Sequence, residues 1–166
     1  MIFVTVGTDG PFDRLIQLVD HWAGKTRARD VFAQIGRSKL QPSNIKCAPF
    51  LDAPEFARYF ESARVIVSHA GMGTILTALH HRKPVIVMPR LASLGEQRND
   101  HQLATARHLA NLGKVRVAFD EDQLWSELER INELSPSASI GPYAQPELIA
   151  AIRDFIHHPS PAHRQR

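Results

Sequence analysis

Apolar residues follow two alternating rhythms along this chain. Short aliphatic and β-branched runs stand at 2–6, 31–35, 46–50, 64–68, 84–88 and 115–119. Between them lie longer segments in which apolar residues recur every three or four positions. Val65-Ile66-Val67 and Val85-Ile86-Val87 are continuous runs, as expected of strands buried on both faces. Phe12, Leu15, Ile16, Val19 and Trp22 set a helix over 12–25. Further helices are expected at 54–62, where Pro54 suits a first turn, and at 74–82. Another, 99–112, ends at Gly113, which suits a left-handed cap. Helix 121–133 follows Asp120, with Gln123 placed to complete a capping box. This alternation predicts an α/β fold, a Rossmann-like parallel sheet with helices on both faces.

The rhythm holds over 1–134 and breaks at 135–145, a loop rich in serine and proline. It returns in a helix at 146–158, with Leu148, Ile149, Ile152, Phe155 and Ile156 on one side, and a polar tail occupies 159–166. That last helix either packs on the sheet or docks onto another polypeptide.

A length of 166 residues suits one domain with a sizeable core. The formal charge of +3 favours anionic ligands but is too mild to indicate nucleic acid. Cys47 is the only cysteine, which excludes an internal disulfide and a cysteine-based zinc site. Its apolar context predicts a buried structural thiol. The opening Met1-Ile2-Phe3-Val4-Thr5-Val6-Gly7 reads as a strand and not as a signal peptide. No apolar run approaches the roughly 20 residues that span a bilayer. The expected location is cytoplasmic, with membrane contact only through a surface or partner.

Chemistry concentrates where strands end. Gly7, Thr8 and Gly10 form a turn after the first strand, where backbone can approach a ligand beside a helix start. The spacing is not the dinucleotide fingerprint, and the second strand ends in Gln34 where an acidic residue would be needed. The turn Ser68-His69-Ala70-Gly71-Met72-Gly73-Thr74 is more telling, because small residues leave room for a diphosphate against helix-opening amides. His69 stands where it can bond a phosphate or leaving group, or simply orient the turn. The third cluster is the loop 89–98 with Arg90 and Glu96, followed by Asn99-Asp100-His101-Gln102. Capping explains one of these polar residues. The others suit sugar hydroxyls. No acidic pair at these turns suggests a metal, and no cofactor is expected.

Together these motifs resemble the C-terminal, donor-binding half of GT-B glycosyltransferases of family 28, most of all the small subunits of two-subunit transferases. The resemblance runs from Met1 to about Asp120. It rests on Val4-Thr5-Val6-Gly7-Thr8 with Phe12-Asp13-Arg14, on Ser68–Thr74, on Lys83-Pro84-Val85-Ile86-Val87-Met88-Pro89-Arg90 and on Asn99–Gln102, in that order. It implies a UDP-sugar donor, with Phe50 and Leu51 at the uracil, the 68–74 turn (Met72 included) at the diphosphate and Gln102 with His101 at the sugar. Where the family commonly holds the ribose with an acidic residue, this chain has Thr77. The implied partners are a membrane-anchored acceptor-binding subunit and a lipid-linked saccharide acceptor. A homodimer is the expected alternative in isolation. The implied reaction is inverting sugar transfer to a polyprenyl-diphosphate-linked acceptor, with His69, Asp13 or a partner residue as base. A nucleotide-sugar-binding module without transferase activity is the alternative reading.

Overall fold

In the computed structural model, which describes residues 1–111, 113, 115–136 and 146–157, six parallel strands form one sheet. They are β1 (Ile2–Thr5), β2 (Val31–Gln34), β3 (Lys46–Ala48), β4 (Val65–His69), β5 (Val85–Met88) and β6 (Arg116–Val117). Their order across the sheet is β3-β2-β1-β4-β5-β6. The chain therefore winds outward from β1 in both directions, and the switch point lies between β1 and β4, where ligands of open α/β sheets bind. Ile2 to Thr5 register against Val65 to Ser68 across that switch point.

Alternation along the strands builds two cores. Ile2, Val4, Val65, Val67, Ile86 and Met88 face α1 (Asp13–Thr26) and α5 (Glu121–Glu129), meeting Leu15, Ile16, Val19, Leu124 and Leu128. Phe3, Ile66, Val85 and Val87 face the other way. There they meet Phe60 of α2 (Ala53–Ser62), Ile75 and Leu79 of α3 (Met72–His80) and Ala106 and Leu109 of α4 (His101–Asn111). Both faces are thus covered, which is why the central strands carry unbroken aliphatic runs.

Several boundaries differ from the sequence expectation for local reasons. α3 begins at Met72, two residues early, because Gly71 is its N-cap. α4 begins at His101, two residues late, because the Asn99 carboxamide accepts the His101 amide. α5 stops at Glu129, and a 3-10 turn covers Ile131–Glu133. Cys47 is exposed, contrary to the expected buried thiol, because β3 is a three-residue edge strand. Residues 137–145 of the expected loop and the tail 159–166 lie outside the described residues. The last helix, α6 (Pro146–His157), buries none of its side chains.

Candidate functional site

Three strand ends and the helices that follow them surround a cavity of about 620 Å³ at the carboxyl edge of the sheet. Thr5, Gly7, Thr8 and Asp9 come from the β1–α1 turn, Phe50, Leu51, Ala53 and Phe56 from the approach to α2, and His69, Gly73, Thr74 and Thr77 from β4 and α3. Gln34, at the end of β2, lines it as well. The fold thus brings together Gly7, Thr8, Phe50, Leu51, His69, Gly73, Thr74 and Thr77 of the residues singled out in the sequence. Thr5, Asp9, Gln34 and Phe56 were missed. Gln34 carried a usable signal, being a polar residue that closes an otherwise apolar strand.

His69 is the centre of this arrangement. Its imidazole lies between two glycines: a Cβ on Gly7 would stand 2.6 Å from Cε1, and one on Gly71 would stand 2.1 Å from Nε2. Gly7 also has φ +74°, a left-handed conformation that glycine adopts at no steric cost. The glycines of both turns therefore make room for the histidine as well as for any ligand. His69 Nδ1 is buried with no hydrogen-bond partner among the described residues. Burial, reinforced by the nearby positive charge of Arg90, pushes the imidazole pKa down to about 4, with the Thr5 backbone and Asp9 opposing only in part. At neutral pH the ring is uncharged, able to accept or donate a proton but not to act as a fixed cation.

The first turn of α3 supplies the second element. Gly71 caps the helix without a side chain, so no side-chain hydrogen bond covers the first amides. Gly71 N–H is used by the His69 carbonyl, at 2.8 Å, whereas the amides of Met72, Gly73 and Thr74 have no acceptor among the described residues. Open amides at the positive end of a helix dipole are an anion site in waiting. Thr77 Oγ1 turns back to the Gly73 carbonyl at 2.8 Å.

The third cluster behaves differently, because its side chains are engaged by the protein. Arg90 is fully buried and donates to backbone carbonyls of the β1–α1 turn. Glu96 forms a bidentate pair with Arg14, both bonds at 2.8 Å, and accepts the Leu91 amide. Gln102 is buried, and its Oε1 accepts the Arg90 amide at 3.2 Å. Asp100 accepts the Ala92 amide, and Asn99 accepts the His101 amide and meets the His101 ring. Ser68 is buried, with its hydroxyl on the His69 carbonyl. Asp13 sits at the start of α1, where Ser38 Oγ donates to it at 2.6 Å. None of these residues lines the cavity.

The profile of the glycosyltransferase family 28 C-terminal domain matches residues 1–140. The chain belongs to that family. Over 70 residues it is 41% identical to a protein of Eremothecium gossypii called UDP-N-acetylglucosamine transferase subunit ALG13. That match covers 42% of this chain and about a third, 32%, of the relative. Among solved structures, the NMR structure of ALG13 superposes with TM-score 0.58 at 18% identity, covering 94% of this chain and 96% of that one. MurG of Acinetobacter baumannii gives 0.57 at 18% identity over 80% of this chain and 41% of that one. A UDP-GlcNAc 2-epimerase of Neisseria meningitidis, bound to UDP-GlcNAc, gives 0.60 at 13% identity over 94% of this chain and 44% of that one. These structural likenesses establish the Rossmann-like GT-B half-fold of the family 28 domain. An epimerase among them shows that the fold alone does not choose a reaction.

Proposed function

We propose that this domain is the donor-binding, catalytic subunit of an inverting glycosyltransferase. It would move a sugar from a UDP-sugar to a polyprenyl-diphosphate-linked acceptor in polysaccharide or glycan assembly. The observation that carries this reading is the uncapped start of α3, with the amides of Met72, Gly73 and Thr74 open beside the neutral His69. In-line attack by an acceptor hydroxyl leaves negative charge on the departing diphosphate. Fixed amides aimed at that charge stabilise the transition state, each worth about 3 kcal/mol where water is excluded. Phe50, half exposed at the cavity mouth, offers a ring face to the uracil, and the Leu51 backbone its polar groups. Of the two candidate bases on this chain, His69 lines the cavity and Asp13 does not. The reaction as written needs no cofactor or metal.

The acceptor side would come from a membrane-anchored partner. In support, the cavity is open to solvent at the carboxyl edge of the sheet, and among the described residues no helix is long and apolar enough to cross a membrane. Recruitment to the cytoplasmic membrane face through that partner follows. Helix α6 is the docking element we assign to it. Leu148, Ile149, Ile152, Phe155 and Ile156 are all exposed, and the charged residues Glu147, Arg153 and Asp154 leave its polar face without the basic excess that anionic lipid attracts. A protein groove therefore suits this helix better than a bilayer surface.

Calorimetry with UDP, GDP and ADP tests the donor site, and preference for UDP is expected. Adding the acceptor-binding partner tests the reaction, since transfer should appear only in the mixture. UDP binding without transfer in the mixture would favour a nucleotide-sugar-binding module, and preference for ADP would overturn the reading.

A further inference from the structure

The side chain of Arg90 is fully buried, although no carboxylate lies within ion-pair distance of it among the described residues. Its guanidinium is occupied by backbone instead. Nη2 donates to the carbonyls of Val6 at 2.9 Å and Gly10 at 2.7 Å, and Nη1 donates to those of Pro11 at 3.0 Å and Glu96 at 3.3 Å. The guanidinium carbon stands 5.2 Å from the centroid of the Phe12 ring, and Nε has no hydrogen-bond partner among the described residues. Gly10 permits this closeness, because a Cβ there would lie 3.3 Å from Nη1. From the other side Gln34 Nε2 donates to the Gly7 carbonyl at 3.3 Å.

Arg90 thus anchors the backbone on either side of Gly7–Asp9, and Gln34 holds the Gly7 carbonyl, whose peptide is planar and trans, with N–H opposite to C=O. Pinning the Gly7 carbonyl inward therefore turns the Thr8 amide outward, and Thr8 N–H has no acceptor among the described residues. Gly7, Thr8 and Asp9 line the cavity while Arg90 stands behind them. A peptide loop left to itself in water has no reason to sort its carbonyls to one side.

We propose that Arg90 is the positioning residue of the anion site: its buried guanidinium fixes the β1–α1 turn through the carbonyls of Val6, Gly10 and Pro11, holds in place the Thr8 amide that Gln34 turns toward a diphosphate, and supplies positive charge behind it. The inference rests on the reading of this cavity as a donor site, and it adds a second amide-bearing wall opposite the start of α3. Arg90 acts through the loop and does not touch the ligand. A lysine there keeps the charge but, with a single nitrogen, cannot span the four carbonyls that the guanidinium bonds through two, whereas a methionine keeps neither.

The test is titration of wild type, R90K and R90M with UDP and with uridine, together with amide spectra of residues 6–11. Wild type should prefer UDP. R90K should lower UDP affinity about tenfold and R90M further, toward about a hundredfold, with the weak uridine affinity unchanged. Thr8 and Gly10 amides should move and exchange faster in both variants. Equal loss of UDP and uridine, or an unaltered loop, overturns the inference. Wild type that binds UDP and uridine alike overturns the donor-site reading itself, and the loop amides then still decide whether Arg90 organises the turn. If both variants fail to fold, wild type decides: Arg90 Nη protons should be distinct and slow to exchange, and pyrophosphate should shift the Thr8 and Met72–Thr74 amides together. Averaged guanidinium protons like those of free arginine would overturn the proposal.

Discussion

Helices α2 and α3 both begin at the carboxyl edge of the sheet and both border the same cavity, yet their first turns are finished in opposite ways. α2 is closed by its own side chains. Asp52 accepts the Glu55 amide at 2.8 Å, Glu55 reaches back to the Asp52 amide, and a proline occupies the first turn. α5 is closed similarly by Asp120 and Gln123. α3 opens on Gly71 with no side-chain cap. A polar cap contributes about 1 kcal/mol to stability, so a helix start without one leaves stability unclaimed and donors open. Capped starts belong to the scaffold. α1 also starts without a side-chain cap, at Phe12, but away from the cavity lining, whereas Gly73 and Thr74 of the uncapped α3 start line it, where a ligand's negative charge can take the place of the missing carboxylate.

The hardest blow to the open start is Gly71→Val. A Cβ there would meet His69 Nε2 at 2.1 Å, so the imidazole must leave its slot between the two glycines. UDP affinity should fall about a hundredfold or more, read by calorimetry. Gly73→Ala is the matched control, since a Cβ at Gly73 has nothing within 4 Å. It should stabilise the helix by up to about 1 kcal/mol in thermal melts. It should nevertheless weaken UDP binding if the diphosphate rests on the amides of this turn. A Gly73→Ala protein that is more stable and binds UDP unchanged would move the diphosphate away from α3.

Acidification strikes the same region without a mutation. His69 titrates near 4 in the folded protein against about 6.5 when unfolded. Below about pH 6.5 the unfolded chain takes up a proton that the folded chain refuses. Stability should therefore drop as pH falls from about 6.5 to about 4, by about 3 kcal/mol in all, and this contribution should level off below that. Denaturant titrations of wild type and His69→Gln across this window measure the difference. The histidine-specific slope should vanish in the variant, and identical slopes would mean that His69 is not the buried neutral group.

Much of this was legible in the sequence, and the exceptions have a common cause. Continuous runs such as Val85-Ile86-Val87 identify buried parallel strands because both faces must be covered, and the glycine turns mark segments that line the cavity. Side-chain direction was not legible. Arg90, Glu96 and Gln102 are polar, adjacent to the site and of the type that binds sugars, yet each is buried or paired within the protein. The partners of Arg90 and Glu96, the Val6 carbonyl and Arg14, lie more than 80 positions away in the chain, and Gln102 meets the Arg90 amide 12 positions back. No local pattern announces such long-range partners. Cys47 failed for the same reason, since an apolar neighbourhood in sequence says little about which strand stands at the edge.

The closed start sharpens the comparison at smaller magnitude. Asp52→Ala removes the cap of α2 and should cost about 1 kcal/mol in thermal or chemical unfolding. UDP binding should stay within about twofold, because among the described residues the Asp52 side chain accepts only the Glu55 amide. A UDP loss as large as that of Gly71→Val would mean that the two helix starts act as one site, and the contrast between them would fall.

The smallest effect on the folded domain is expected from removing α6. None of its side chains is buried, and the two cores are built without it. A chain ending before Pro146 should therefore unfold within about 0.5 kcal/mol of the full chain, as for changes at exposed positions. It should also bind UDP as the full chain does. What it should lose is association. Five exposed apolar side chains on one helix form a surface that soluble monomers do not keep without use, so the truncated chain should no longer bind the acceptor-side partner or reach membranes carrying it. In the absence of that partner the full chain should pair through the same face, and light scattering should find dimers in the full chain and monomers in the truncated one. A truncated chain that unfolds would show α6 to be part of the core in solution. One that still binds its partner would move the docking surface to the carboxyl edge of the sheet, where Met72, Leu76 and Leu94 are also exposed.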